Sequence, residues 1–175
     1  MKFARVLPVI LAAMFGPALA LDIPNGLSQD GLGNVKVGGD IERVENQLHE
    51  KFGYNQYANH GCSMLTTKAL ETTGLSFMFE DKILTRINVD FYAKSPIPLT
   101  IKTDTGIGLG SREEDVLKAY PGAKVKPNPA DPTWHTIISE TPDRTRGIVF
   151  ETNGETVKSM RAGLNPAISY ANGCG

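Results

Sequence analysis

"FETNGETVKSMRAG", residues 150–163, reads as a strand, an Asn-Gly turn and a returning strand. Asn153-Gly154 is a strong short hairpin signal, because both positions of the favoured two-residue turn need φ > 0. "FMFEDKILTRINV", residues 77–89, places apolar and charged residues in the same order, with Phe77 and Phe150 offset by 73 positions. Leu75, Phe77 and Phe79 fall on one face by strand alternation, as do Ile148 and Phe150. Glu80-Asp81-Lys82 is the weaker turn of the pair.

Each hairpin is preceded by a similar stretch. "GNVKVGGDIERVENQLHEKFG" covers residues 33–53 and "TGIGLGSREEDVLKAYPG" covers 105–122. Val37-Gly38 aligns with Leu109-Gly110, and Val44 with Val116, at an offset of 72. Ser111 reads as an N-cap with Glu114 completing a capping box. Asp40 takes the capping part in the first stretch, and Glu42 suits the positive end of that helix. Helical spacing of Ile41, Val44 and Leu48, and of Val116 and Tyr120, predicts two helices of about ten residues. An intervening strand is expected near 63–69 and another near 136–139.

The expected fold class is therefore α+β, with two tandem helix-plus-antiparallel-hairpin repeats forming a joined sheet. The expected organisation is a signal peptide at 1–20, an N-terminal arm at 21–34, repeat 1 at 35–91, a linker at 92–104 with two prolines, and repeat 2 at 105–175. The non-core face of the joined sheet would carry Met78, Arg86, Asn88, Asp90, Glu151 and Arg161. Alternation alone leaves open whether these are solvated or partner-facing.

The first residues read as a targeting segment. Lys2 and Arg5 precede an apolar run from Val6 to Phe15, and Ala18-Leu19-Ala20 presents small residues where signal peptidase cuts. That run is shorter than the ~20 residues a membrane-spanning helix needs. Without Lys2 and Arg5 the chain has 16 basic and 19 acidic residues, a formal charge of −3, with the two signs interspersed. Nucleic-acid binding needs clustered Lys and Arg, which excludes that class. The expected location is periplasmic or secreted, with no membrane span.

Cys62 and Cys174 are the two cysteines. In an oxidising compartment an even pair closes, here across 112 positions, constraining the unfolded chain by ~4–5 kcal/mol in the loop-entropy account. "NHGCS", residues 59–63, offers a Cys–His nucleophile only if Cys62 is free. His49, His60 and His135 sit at no metal-binding spacing. Glu113-Glu114-Asp115 occupies a helix start, where acids belong on dipole grounds. "GIGLGS" lacks the Lys of a phosphate loop. No cofactor, metal or catalytic residue is expected.

Two loops carry recognition chemistry. "FGYNQYANHG", residues 52–61, brings Tyr54, Tyr57 and His60 together, and "PNPADPTWHT", residues 127–136, brings Trp134 and His135 behind three prolines. Aromatic residues on stiffened loops are the usual composition of binding hot spots. Trp134 as a core residue and Trp134 as an exposed anchor are both open readings.

A short "VG" or "LG" before a capped helix, used twice, resembles the beta-lactamase inhibitor proteins, and the single unit resembles outer-membrane lipoproteins that support barrel assembly. "GLGNVKVGGD", "TDTGIGLGSREEDV", "FETNGE", "MRAG" and the final "GCG" resemble small exported bacterial proteins that mostly lack an assigned function. The chain departs from the inhibitors in having one cysteine pair rather than one per unit, and from the lipoproteins in lacking a lipidated cysteine. The resemblance implies fold and compartment and transfers no catalytic residue. The expected function is a non-enzymatic protein-binding module, an inhibitor or immunity protein for an envelope or secreted enzyme or toxin. Partner-binding candidates are Tyr54, Tyr57, His60, Trp134, His135, Arg86 and Arg161. The alternatives are a glycan or small-ligand binding module, and an envelope assembly or structural factor.

Overall fold

A computed structural model describes residues 26–53, 61–91 and 100–174. The expected signal peptide, Tyr54, Tyr57, His60 and most of the expected linker lie outside the described residues.

Among the described residues, ten strands and two short α-helices follow one another. Three two-residue strands, β1 (Leu27–Ser28), β2 (Gly31–Leu32) and β3 (Val35–Lys36), form a small antiparallel sheet. Helix α1 (Ile41–Leu48) and strands β4 (Cys62–Leu65), β5 (Leu75–Glu80) and β6 (Ile83–Asp90) come next. Then follow α2 (Glu113–Ala119), β7 (Lys124–Pro127), β8 (His135–Glu140), β9 (Arg146–Thr152) and β10 (Val157–Leu164). The last seven strands form one antiparallel sheet in the order β4-β5-β6-β10-β9-β8-β7.

One face of this sheet is the core. Phe77, Phe79, Leu84, Ile87, Val89, Ile137, Ile148, Phe150 and Met160 are buried in one cluster with Val44 of α1, Val116 of α2, and Leu27, Leu32 and Val35 of the small sheet. Burying side chains of this size stabilises by roughly 1.5–3 kcal/mol each. The Phe52 ring stands edge-on to Phe77 and Phe79, with centroids 5.4 and 5.3 Å away.

Local chemistry sets the boundaries. Asp40 Oδ1 accepts from the Arg43 N–H at 2.8 Å, an N-cap as expected, and α1 ends at His49 in the left-handed region (φ 55). The second helix departs from expectation. Its N-cap is Arg112, with no side-chain cap, and Ser111 Oγ instead accepts from the Gly108 N–H at 2.9 Å. The hairpin turns are reversed in strength. Asp81 and Lys82 form a two-residue turn with both φ positive (48 and 68), whereas β9 and β10 are joined by the four residues Asn153 to Thr156. There the Asn153 side chain accepts from the Thr156 N–H at 2.9 Å.

The α+β repeat reading is overturned. The described residues are 43% strand against 13% helix, arranged as two antiparallel sheets of three and seven strands, a mostly β fold. Helical spacing located both helices but overstated their share, since eight and seven residues cover little of a seven-stranded sheet. Alternation also missed β7, which follows α2, and the small sheet that completes the core. β7 is an edge strand carrying Lys124, Lys126 and Pro127 in exposed positions, residues that discourage pairing with a further chain. Among the described residues no helix is long and apolar enough to cross a membrane.

Candidate functional site: the second face of the seven-stranded sheet

The register aligns the other face in three rows running across the strands. The first row is Asp90, Ser159, Glu151, Thr136 and Lys126. The second is Ser76, Asn88, Arg161, Val149, Ile138 and Lys124. The third is Met64, Met78, Arg86, Gly163, Gly147 and Glu140.

The third row is covered by a strap, residues 165–174. It turns through a short 3₁₀ segment, Ala167–Ser169, and is tied to β4 by the Cys62–Cys174 disulfide, with Cα atoms 5.6 Å apart. Two glycines lie in this row, Gly147 making room for the strap and Gly163 for the close approach of the neighbouring strand β6. A Cβ on Gly147 would stand 2.7 Å from Ile168 Cδ1, and one on Gly163 would stand 2.1 Å from the Thr85 carbonyl oxygen. Arg86 Nη1 donates to the carbonyls of Ala167 (2.9 Å) and Tyr170 (2.7 Å). Arg161 Nε donates to the Ile168 carbonyl at 2.6 Å, and its Nη1 lies 2.9 Å from Glu151 Oε1. Burial, and then repulsion from Arg161, lowers the Arg86 pKa to about 10, with Asp90 and Glu80 opposing.

What stays open is a trough of about 780 Å³ over the first and second rows, within the size of ligand sites generally. Ile138 gives it a partly exposed apolar floor beside the fully buried Val149, and Asp90, Glu151, Arg161 and Lys126 line it with both signs of charge. The strap forms one wall. The loop between β7 and β8 forms another, with Trp134 at the rim, 37% exposed.

That loop holds itself. The Asn128 N–H donates to the Trp134 carbonyl at 2.8 Å, and Asp131 Oδ1 accepts from the N–H and hydroxyl of Thr133 at 3.0 and 2.7 Å. Gly154 packs so close that a Cβ there would lie 2.7 Å from the Thr133 carbonyl oxygen. The four-residue β9–β10 connection therefore supports the loop. Trp134 needs no ligand to be positioned.

Asp90 is solvent-accessible, yet it stands inside the trough. Burial among the walls raises its pKa, outweighing the opposing pull of Arg86 and Arg161. Those arginines spend N–H groups on the strap carbonyls and on Glu151.

The sequence-predicted candidates are distributed as follows. Trp134 and Arg161 line the trough together. Arg86, expected on an open face, is 4% exposed beneath the strap, as Met78 (0%) and Asn88 (5%) are also buried. His135 turns to the other side, its Nδ1 2.9 Å from both carboxylate oxygens of Glu113, which also accepts from the Thr152 hydroxyl. With the carboxylate between them, His135 is not placed to take the Thr152 proton, and Thr152 is fully buried. This cluster anchors α2 to β8 and β9. Ser159, Thr136 and Lys126 were missed; their signal is only the strand register relative to Glu151. Among the described residues no group of three or more His, Cys, Asp or Glu is arranged to hold a metal ion.

No protein-family model, no curated protein and no solved structure matches the chain.

Proposed function

We propose that the chain is a non-enzymatic, exported binding module that receives a segment of another protein in the trough. The observation that carries this reading is preorganisation. The floor is a hydrogen-bonded sheet, one wall is a cross-linked strap, and the other is a self-bonded loop with an exposed tryptophan. Rigid surroundings reduce the ordering cost of binding, and an exposed Trp on a fixed loop is a favoured hot-spot residue. The half-apolar lining suits a peptide, which brings both side chains and main-chain polar groups. If the segment is the active-site edge of an envelope enzyme or toxin, binding excludes substrate, and the module is its inhibitor or immunity protein. The Cys62–Cys174 disulfide supports an oxidising compartment.

The test is a pull-down from the source organism's envelope fraction with the exported form and its Trp134→Ala variant. One protein captured in equal stoichiometry by the first and lost with the second is the expected result. Retention on a sugar or peptidoglycan resin with no protein captured would replace the reading with the glycan alternative.

A further inference from the structure

The first row of the trough suggests what kind of segment it takes. From Asp90 to Thr136 there are three strand steps, about 14 Å at ~4.8 Å each, and an extended peptide rises ~3.3 Å per residue, so about four residues span the row. Along that line the groups differ. Glu151 is satisfied by Arg161 (2.9 Å) and by the Thr136 hydroxyl (2.8 Å). Asp90 is in a different state: its carboxylate accepts no side-chain hydrogen bond among the described residues, although it faces the trough beside Ser159.

The charged groups around Asp90 leave it under-compensated. Arg86 and Arg161 are its cationic neighbours, and Glu80 also acts on Arg86. Arg86 Nη1 is spent on two strap carbonyls, while Arg161 is spent on a third carbonyl and on Glu151. Asp90 itself is exposed at the trough, so its oxygens are open to an incoming group, and partial burial raises its pKa against the pull of both arginines. A carboxylate in that state gains from an incoming N–H donor with positive charge, because charge-assisted hydrogen bonds are the stronger kind. Beyond Asp90 and Glu151 the row reaches Thr136, with Val149 and Ile138 beside it and Trp134 at the rim.

We propose that the segment held in the trough is extended, with a lysine or arginine seated on Asp90 and, about four residues along, an apolar side chain over Ile138 beside Trp134. The inference rests on the peptide-binding reading and specifies it. The direction of the peptide follows from the row: basic end at β6, apolar end at β8.

The experiment is selection of phage-displayed random dodecapeptides on the exported form, followed by affinity measurement on Asp90→Asn, Trp134→Ala and a control, Glu71→Gln, which alters an exposed carboxylate that does not line the trough. Thermal melts establish that each variant is folded. The expected peptides carry Lys or Arg a few residues from an apolar residue, and bind Asp90→Asn at least ~10-fold more weakly while Glu71→Gln is unaffected. Replacing the peptide's basic residue by norleucine should weaken binding to the wild type by a similar factor and leave Asp90→Asn nearly unchanged. Peptides that lack a basic residue, or that ignore Asp90→Asn, overturn this inference while the peptide-binding reading stands. Recovery of no binding peptide overturns that reading itself.

Discussion

Arg86 Nη1 lies 2.7 Å from the main-chain oxygen of Tyr170, 84 residues further along the chain. A central strand thus holds the strap by a charged donor, and the strap in turn buries that donor. The arrangement is mutual, because the strap carbonyls take both bonds of a buried Nη1, although Arg86 Nε beside it has no hydrogen-bond partner among the described residues. Charge-assisted hydrogen bonds of this kind contribute more than neutral ones.

Arg86→Met keeps the volume and removes the donors. It leaves the carbonyls of Ala167 and Tyr170 without that donor, so a loss of about 2–4 kcal/mol is expected from two charge-assisted bonds. Urea unfolding monitored by the Trp134 fluorescence measures it. An unchanged midpoint would show that the strap is held without Arg86.

Cys62→Ser with Cys174→Ser removes the covalent tie of the strap. A loss of roughly 2–5 kcal/mol is expected. Residues 170–174 should also become cleavable by protease under native conditions, while Ile168, buried against Gly147, keeps the 3₁₀ segment in place. Mass spectrometry of the digest locates the cuts.

Gly163→Ala is expected to be the most damaging single-methyl change on this face. Gly163 has φ +151 and its added Cβ would meet the Thr85 carbonyl at 2.1 Å, an atom of a paired central strand. A cost of about 2–3 kcal/mol or more follows from overpacking with backbone strain. Thermal melts of the variant against Gly122→Ala, whose Cβ would meet nothing within 4 Å, separate the steric part from the conformational one.

Asp90 governs a pH-dependent contribution of unusual sign for a carboxylate. Its folded pKa is raised above 3.8, mainly by burial, so the folded chain binds the proton more tightly than the unfolded one. Protonated Asp90 therefore favours folding, and that advantage is lost as pH rises from 3.8 through the folded pKa. Asp90→Asn should be more stable than wild type at neutral pH and lose that margin below 3.8. Urea midpoints for both proteins across pH 3 to 8 give the difference; a margin independent of pH would show that Asp90 carries no folding-linked proton.

Local patterns proved dependable where the deciding interaction is also local. The N-cap of Asp40 reaches three residues ahead, and the alternation of Phe77 and Phe79 or of Ile148 and Phe150 marks core positions that the fold does bury. Patterns failed where a distant segment intervenes. Asn153-Gly154 is the stronger turn motif, but packing of Gly154 against Thr133 accompanies a wider connection, while the unpromising Asp81-Lys82 makes the tight turn. Ser111 has the right spacing for a capping box, yet its hydroxyl serves Gly108. The non-core face was legible as a set of residues and not as a surface, because nothing in "TRINVD" announces that residues 165–174 will lie across it.

The sequence by itself determined the two helices, the main hairpins, the core-facing residues and the pairing of the two cysteines, since periodicity and composition act over a few residues at a time. Only the tertiary structure decided that the fold is mostly β, that Arg86 is covered while Trp134 stands at the rim, and that Asp90, Glu151 and Thr136 form one row. Those outcomes depend on which strands become neighbours and on what crosses the sheet face. They are set by the free energy of packing the whole chain, to which residues far apart in sequence contribute together.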